Sequence, residues 1–185
     1  MVRIYLAQCE AAHGREKRQA EHLLGKRLLY QGLKEVYGIV PEPEDQLVIL
    51  KGEHGKPYLK DFSHIHYNIS HTKGLAACGL GGSSLGVDVE RIRPFPESVA
   101  ERVFSSAEKR RMKELPEKER DSYFFRMWTL KESYVKALGC GITVPLADIS
   151  AGSDSSAFFH QEMLEGGYVL SVCTFEEEEI QIIKA

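Results

Sequence analysis

Apolar and polar positions change period several times along the chain. "VRIYLAQ", from Val2, alternates as a strand with one buried face does. From Arg15 to about Tyr37 the period becomes helical. Leu23, Leu24, Leu28, Leu33 and Val36 fall near one face with basic residues around them, and Gly38 supplies a stop. Pro41 to Glu44 reads as a loop. "QLVILKGEHGKPYL" reads as strand, turn and strand around Gly52–Pro57, and "HIHYNIS" as a further strand. "HTKGLAACGLGGSS" reads as a turn, a small apolar segment and a glycine–serine bend before the strand "GVDVE".

After Pro94 and Pro96 the period is helical again. "PESVAERVFSSAEKRRMKEL" predicts two helices meeting near Ser105, with Ser105 or Ser106 as cap and Glu108 in the first turn of the second. "EKERDSYFFRMWTLKESYVKAL" is the most regular helical stretch, and Gly139 ends it. "ITVPLADISA" and the segment from Phe158 to Lys184 read as strands, with a hairpin turn at Glu165-Gly166-Gly167. The run Glu176–Glu179 reads as a solvated connection. Strands and helices thus alternate on both sides of a break at Gly81–Ser84. The pattern predicts an α+β chain, and its length allows one large domain or two small α/β-like lobes packed as one unit, which the break would divide into 1–84 and 85–185. No internal sequence repeat is visible.

Composition narrows the function classes. The chain has 185 residues, 43% of them hydrophobic, enough for a substantial core. A net charge of −3 and a pI near 6.2 argue against a general nucleic-acid or membrane-surface binder. Cys9, Cys78, Cys140 and Cys173 form no CxxC pair, so reduced thiols in a cytoplasmic setting are expected. The N-terminal residues are too mixed for a signal peptide, and no apolar run has the length of a membrane span.

Four elements carry candidate chemistry. Asp88 and Glu90 stand at i and i+2 on a strand and so share one face. Two carboxylates there repel unless a cation or basic groups lie between them, although a wet edge strand would also tolerate them. On the long helix Trp128, Glu132 and Lys136 recur every four residues. Glu132–Lys136 could be an ordinary surface pair, but Trp128 on the same face argues for partial burial. Together Asp88, Glu90 and Glu132 would offer Mg²⁺ three hard oxygen ligands, with Lys136 near a substrate phosphate. In "YNISHTKG", Ser70 could cap the turn after a strand and bind an anion, with His71 and Lys73 as donors. A capped turn with an exposed histidine explains that segment equally. Lys56, in "GKP", reads alone as a turn lysine.

"GKPYL", "YNISHTKG", "GVDVE" and "WTLKESYVKALGCGI", in that order from Gly55 to Ile142, resemble the 4′-phosphopantetheinyl transferases of the surfactin-synthetase-activating type. The resemblance continues more weakly in "GGYVLSVC". It implies two similar lobes related by pseudo-twofold symmetry, with coenzyme A in the cleft between them. It implies transfer of the phosphopantetheine arm onto a serine of an acyl or peptidyl carrier protein, releasing adenosine 3′,5′-bisphosphate. Asp88, Glu90 and Glu132 would hold Mg²⁺, or Mn²⁺, on the pyrophosphate. Glu132 would also be a candidate base for the carrier serine, directly or through water. Lys136 would meet the phosphates, and Lys56, Ser70 and His71 the nucleotide end of coenzyme A.

The family's basic arm and first-helix Arg are not matched: aligning on "LLG" puts Glu21 and His22 near the expected Arg, leaving Arg15, Lys17, Arg18 or Lys26 as substitutes. Two lobes of length in one chain imply a monomer. An acidic carrier would land on "RIRPFPESVAERVF", with Arg91, Arg93, Phe95 and Phe104 as possible contacts, Phe104 reading also as a core residue. The other readings are a non-catalytic coenzyme A or nucleotide binder and a metal-dependent pyrophosphate hydrolase.

Overall fold

The computed structural model describes residues 1–8, 14–40, 47–141, 144–149 and 156–185, and only the backbone of residues 14–18. Cys9, the loop from Pro41 to Glu44, and Ile142 and Thr143 lie outside the described residues, as do the side chains of Arg15, Lys17 and Arg18. Nine strands and four α-helices are described. They run β1 (Val2–Gln8), α1 (Gly14–Tyr37), β2 (Ile49–Lys51), β3 (Pro57–Leu59), β4 (His66–Thr72), β5 (Leu75–Gly81), β6 (Leu85–Arg91), α2 (Glu97–Val103), α3 (Ser106–Glu114), α4 (Glu117–Leu138), β7 (Phe158–Leu164), β8 (Tyr168–Thr174) and β9 (Ile180–Lys184).

The two main sheets repeat one topology. The first has the order β4-β5-β1-β9, the second β6-β8-β7. In each, a strand is followed by a long helix and then by a hairpin whose second strand pairs antiparallel with the first. Thus β1-α1-β4-β5 and β6-α4-β7-β8 are the same unit twice. The final strand departs from the division expected at Ser84: β9 returns to the first sheet and runs parallel to β1.

Alternation along the strands sorts the core into layers. Val2, Ile4 and Leu6 of β1 meet Leu85, Val87 and Val89 of β6 and Leu170 and Val172 of β8 between the sheets. Tyr5, Cys78 and Leu80 face α1, whose Leu28, Leu29 and Leu33 are buried. Leu23, expected on that face, is 57% exposed, because the helix turns about 100° between it and Leu24. Phe124, Phe125 and Val135 of α4 pack on the outer side of the second sheet with α2.

Local signals placed most element ends. Gly38 and Gly139 terminate α1 and α4 with φ of 67° and 71°. Ser105 caps α3, accepting from Glu108 N, while the Glu108 carboxylate accepts from Ser105 N. Gly166 and Gly167, both at positive φ, form the β7–β8 turn. Three expectations are corrected. The apolar segment after Thr72 is a full strand, β5. "ITVPLADISA" contains no described strand; Leu146–Asp148 is a 3-10 turn behind Pro145, whose carbonyl accepts from Asp148 N. Glu178 is not simply solvated, since it accepts from Ser83 Oγ at 3.1 Å and helps close the β5–β6 connection.

Lys131 is a fully buried cation on α4. It donates to Glu108 Oε2 (2.6 Å), Val103 O (2.9 Å) and Leu146 O (2.9 Å), tying α2, α3 and the 3-10 turn to α4. Lys131→Met keeps the volume but strands two carbonyls. It is expected to cost about 2 kcal/mol in urea unfolding; unchanged stability would mean that those contacts contribute nothing.

Candidate active site at the junction of the two sheets

The candidate acids sit where two sheet edges meet. β4 is an edge of the first sheet and β6 an edge of the second, and no ladder joins them. The polar side chains of β4 supply the missing partners instead. Asn68 Oδ1 accepts from Val87 N (2.8 Å) and Ser70 Oγ from Val89 N (3.2 Å). Ser70 Oγ donates to Asp88 Oδ1 (2.8 Å), and Thr72 Oγ1 to Glu90 Oε2 (3.0 Å). Asn68, Ser70 and Thr72 lie at i, i+2 and i+4, so one face of β4 serves β6 throughout. The turn-capping role expected for Ser70 is therefore corrected: it lies inside β4, which runs on to Thr72. The alternation N-x-S-x-T was the available signal for Asn68 and Thr72, which sequence reasoning missed.

Asp88 and Glu90 point from β6 toward α4. Gly86 shares that face, and a Cβ there would stand 2.0 Å from Ser133 O and 2.4 Å from Ala137 N. Only a glycine lets α4 approach this closely. The approach puts Lys136 Nζ 2.6 Å from Asp88 Oδ1, 3.1 Å from Val87 O and 3.3 Å from Ser70 Oγ. Phe124, Trp128, Glu132 and Lys136 follow one another at four-residue steps on α4, and Trp128 stacks on Phe124 with centroids 6.0 Å apart. Burial holds the Glu132 carboxyl above the ordinary glutamate range, Asp88 and Glu90 add to the rise, and Lys136 opposes it. The structure thus brings Asp88, Glu90, Glu132, Lys136 and Ser70 together.

Among the described residues no three His, Cys, Asp or Glu side chains are grouped closely enough to hold a metal ion as placed. The chain's own cations stand on two of the acids instead: Lys136 on Asp88, and Arg93 on Glu90 at 2.8 Å. The donor set nevertheless suits a divalent cation. Asp88 is 5% exposed, and its Oδ2 is buried with no hydrogen-bond partner among the described residues. A buried carboxylate oxygen so left is costly. Oxygen donors from β6 and α4 are the chemistry that Mg²⁺ takes.

His71 is not brought to the acids. It points to the opposite face of β4, with Nδ1 3.7 Å from Glu21 Oε2 on α1. Lys56 lies at the other end of a cleft of about 220 Å³ whose lining includes His54, Lys56, Asn68, Glu132, Lys136 and Gly139. Its Nζ donates to Ser84 Oγ (2.8 Å), Ala137 O (2.8 Å) and Leu85 O (3.2 Å), bridging β3, the start of β6 and the C-terminal end of α4. Burial brings its pKa down to about 8. The unfolded chain therefore holds more protons between about pH 8 and the ordinary lysine value, and this group makes stability rise with pH across that window. In Lys56→Met the contribution disappears, so the stability gap between mutant and wild type should change from pH 8 to pH 10; a constant gap in urea titrations would contradict it. A larger cleft, about 460 Å³, opens between the ends of β1 and β9 and the β7–β8 turn, and carries none of the candidate residues.

Of the four landing-site residues, Arg91 and Arg93 are exposed and Phe95 is partly buried, stacked on Phe124 at 4.7 Å. Of the two readings of Phe104 the structure shows the core one: it is 1% exposed, against Tyr123 and Phe124.

The comparisons with known proteins bear on the same segment. Residues 84–183 match the family model of the 4′-phosphopantetheinyl transferase superfamily. The 4′-phosphopantetheinyl transferase gsp of Aneurinibacillus migulanus is 36% identical over 124 residues, covering 67% of this chain and 50% of the relative. The 4′-phosphopantetheinyl transferase psf-1 of Bacillus pumilus is 30% identical over 129 residues, 70% of this chain and 54% of the relative. The chain thus spans about half the length of these two. The 4′-phosphopantetheinyl transferase AcpT of Salmonella typhi is 33% identical over 161 residues, 85% of this chain and 77% of the relative. The family match takes in both β6 and α4, the two elements that face their acids and lysine across the Gly86 contact, and the chain belongs to the 4′-phosphopantetheinyl transferase superfamily.

Proposed function

We propose that this chain is a 4′-phosphopantetheinyl transferase that moves the phosphopantetheine arm of coenzyme A onto a serine of an apo acyl or peptidyl carrier protein and releases adenosine 3′,5′-bisphosphate. The observation that carries the reading is the meeting of Asp88, Ser70 and Lys136 at one buried point within a chain of this family. Asp88, Glu90 and Glu132 would hold Mg²⁺, or Mn²⁺, which when bound neutralises charge on the pyrophosphate and polarises the phosphorus under attack. Lys136 would exchange its contact with Asp88 for a phosphate oxygen. The Glu132 carboxyl, raised by burial, is the candidate acceptor of the serine proton, directly or through water. Lys56 and His54 would line the nucleotide end, Ser70 would stay with the acids, and His71, on the opposite face of β4, would face away from both. Because both lobes are in one chain, a monomer would carry a whole site. No helix among the described residues is long and apolar enough to cross a membrane, in keeping with a cytoplasmic enzyme.

An acidic carrier would arrive over Arg91, Arg93 and Phe95. Arg91 lies on the Tyr168 ring at 5.8 Å and is otherwise open. Arg91→Glu is expected to raise the carrier KM about tenfold while leaving coenzyme A binding unchanged; unchanged carrier kinetics would place the landing site elsewhere. The reaction is tested by following adenosine 3′,5′-bisphosphate from coenzyme A and Mg²⁺ with and without apo carrier. Release only with carrier supports transfer. Release without carrier would make water the acceptor and the chain a hydrolase.

A further inference from the structure

The two chain cations that stand on the acids are held differently. Lys136 is fixed by Asp88, Val87 O and Ser70 Oγ together. Arg93, in the segment after β6, has a side chain 53% exposed and only one contact with the acid group. Its other anchors do not involve that group. Nη1 donates to Arg91 O at 2.9 Å, and the guanidinium lies 4.6 Å from the centre of the Phe125 ring. Letting go of Glu90 removes one exposed ion pair. Glu90 Oε2, for its part, keeps the Thr72 hydroxyl.

We propose that Arg93 is a resident competitor of the divalent cation at Glu90, and that loading the metal turns its guanidinium outward to meet the acidic partner. The inference rests on the reading of Asp88, Glu90 and Glu132 as metal ligands. A divalent ion bound at Glu90 Oε2 would compete with the guanidinium for that oxygen, and the like charges would repel each other. Asp88 Oδ2, buried and without a partner, is the second oxygen that draws the ion in. Without metal, Arg93 spends its charge inside the chain. With metal, the same charge is available at the mouth of the site. Linkage then runs both ways: metal tightens carrier binding, and carrier tightens metal binding by the same factor.

The test needs no turnover. Mn²⁺ is titrated into wild type, Arg93→Gln and Asp88→Asn, with free ion read by electron paramagnetic resonance. Arg93→Gln is expected to bind about two- to fivefold more tightly, the factor that loss of one exposed ion pair supplies. Equal or weaker binding would overturn the proposal. No saturable binding by wild type would remove the metal site itself, and the proposal with it. A second measurement does not depend on how that variant folds. In wild type the Arg93 Nε–H resonance should shift as Mg²⁺ saturates the site and stay put in Asp88→Asn; a resonance unmoved by saturating Mg²⁺ in wild type would also overturn it.

Discussion

Asp88→Asn is expected to cut carrier modification about 10³-fold while the protein stays folded. Asn keeps the shape and can still accept from Ser70 and Lys136, which hold Asp88 Oδ1 at 2.8 and 2.6 Å. What it loses is the charge, and with it the buried Oδ2 that now lacks a partner. Mn²⁺ affinity should fall together with the rate, whereas the melting temperature should move by only a few degrees. If the rate survived, Asp88 would be a structural acid neutralised by Lys136, and the two-sheet junction would be a brace rather than a reaction site. Measuring rate, metal affinity and melting on one preparation separates these outcomes.

Gly86→Ala should have the largest effect on stability. The added Cβ would stand 2.0 Å from Ser133 O, 2.4 Å from Ala137 N and 2.9 Å from Lys136 C, all backbone atoms of α4. No rotamer relieves that contact, so α4 must shift off β6. Burial of Phe124, Phe125 and Val135 then suffers along with the Asp88–Lys136 contact. A loss of at least about 4 kcal/mol is expected in urea unfolding, with activity lost as well. A cost under about 1 kcal/mol would mean that α4 is not seated on β6 as described. Gly79→Ala is a useful contrast, because the Cβ there would meet side-chain atoms of Leu85, Val87 and Ile4 rather than the backbone of a helix.

How much of this was legible depends on whether the signal was local. The Ser105–Glu108 capping box, the glycine stops at Gly38 and Gly139 and the Gly166-Gly167 hairpin are each set within a few residues and were read directly. So was the four-residue stripe that carries Glu132 and Lys136 on α4. β5 was harder because all seven of its residues are buried, between α1 and the second sheet, so its small apolar residues show no alternation. "ITVPLADIS" alternates well enough for a strand, but Pro145 starts a 3-10 turn there. The duplicated strand–helix–hairpin unit leaves no trace in the sequence, since a topology constrains apolar spacing rather than residue identity. The grouping of Asp88, Glu90, Glu132 and Lys136 was reachable from spacing and resemblance. The actual work of Ser70 was not, because its partners are 18 and 19 residues away on another sheet. Lys131 likewise sits beside Glu132 in the sequence, yet it turns inward to hold α2 and α3. Lys56, which alone reads as a turn lysine, joins β3 to β6 and α4 through contacts that only the tertiary fold creates.

The central claim is that the acids and lysine at the β4–β6 junction move a phosphopantetheine arm from coenzyme A to a carrier serine. The most direct measurement is the intact mass of an apo carrier after incubation with this protein, coenzyme A and Mg²⁺, run across fatty-acid, polyketide and peptide-synthetase carriers. The predicted result is a gain of one phosphopantetheine arm on at least one carrier, absent with Asp88→Asn and absent when the carrier serine is replaced. Unchanged mass on every carrier, with the protein shown to be folded and Mg²⁺ bound, would contradict it.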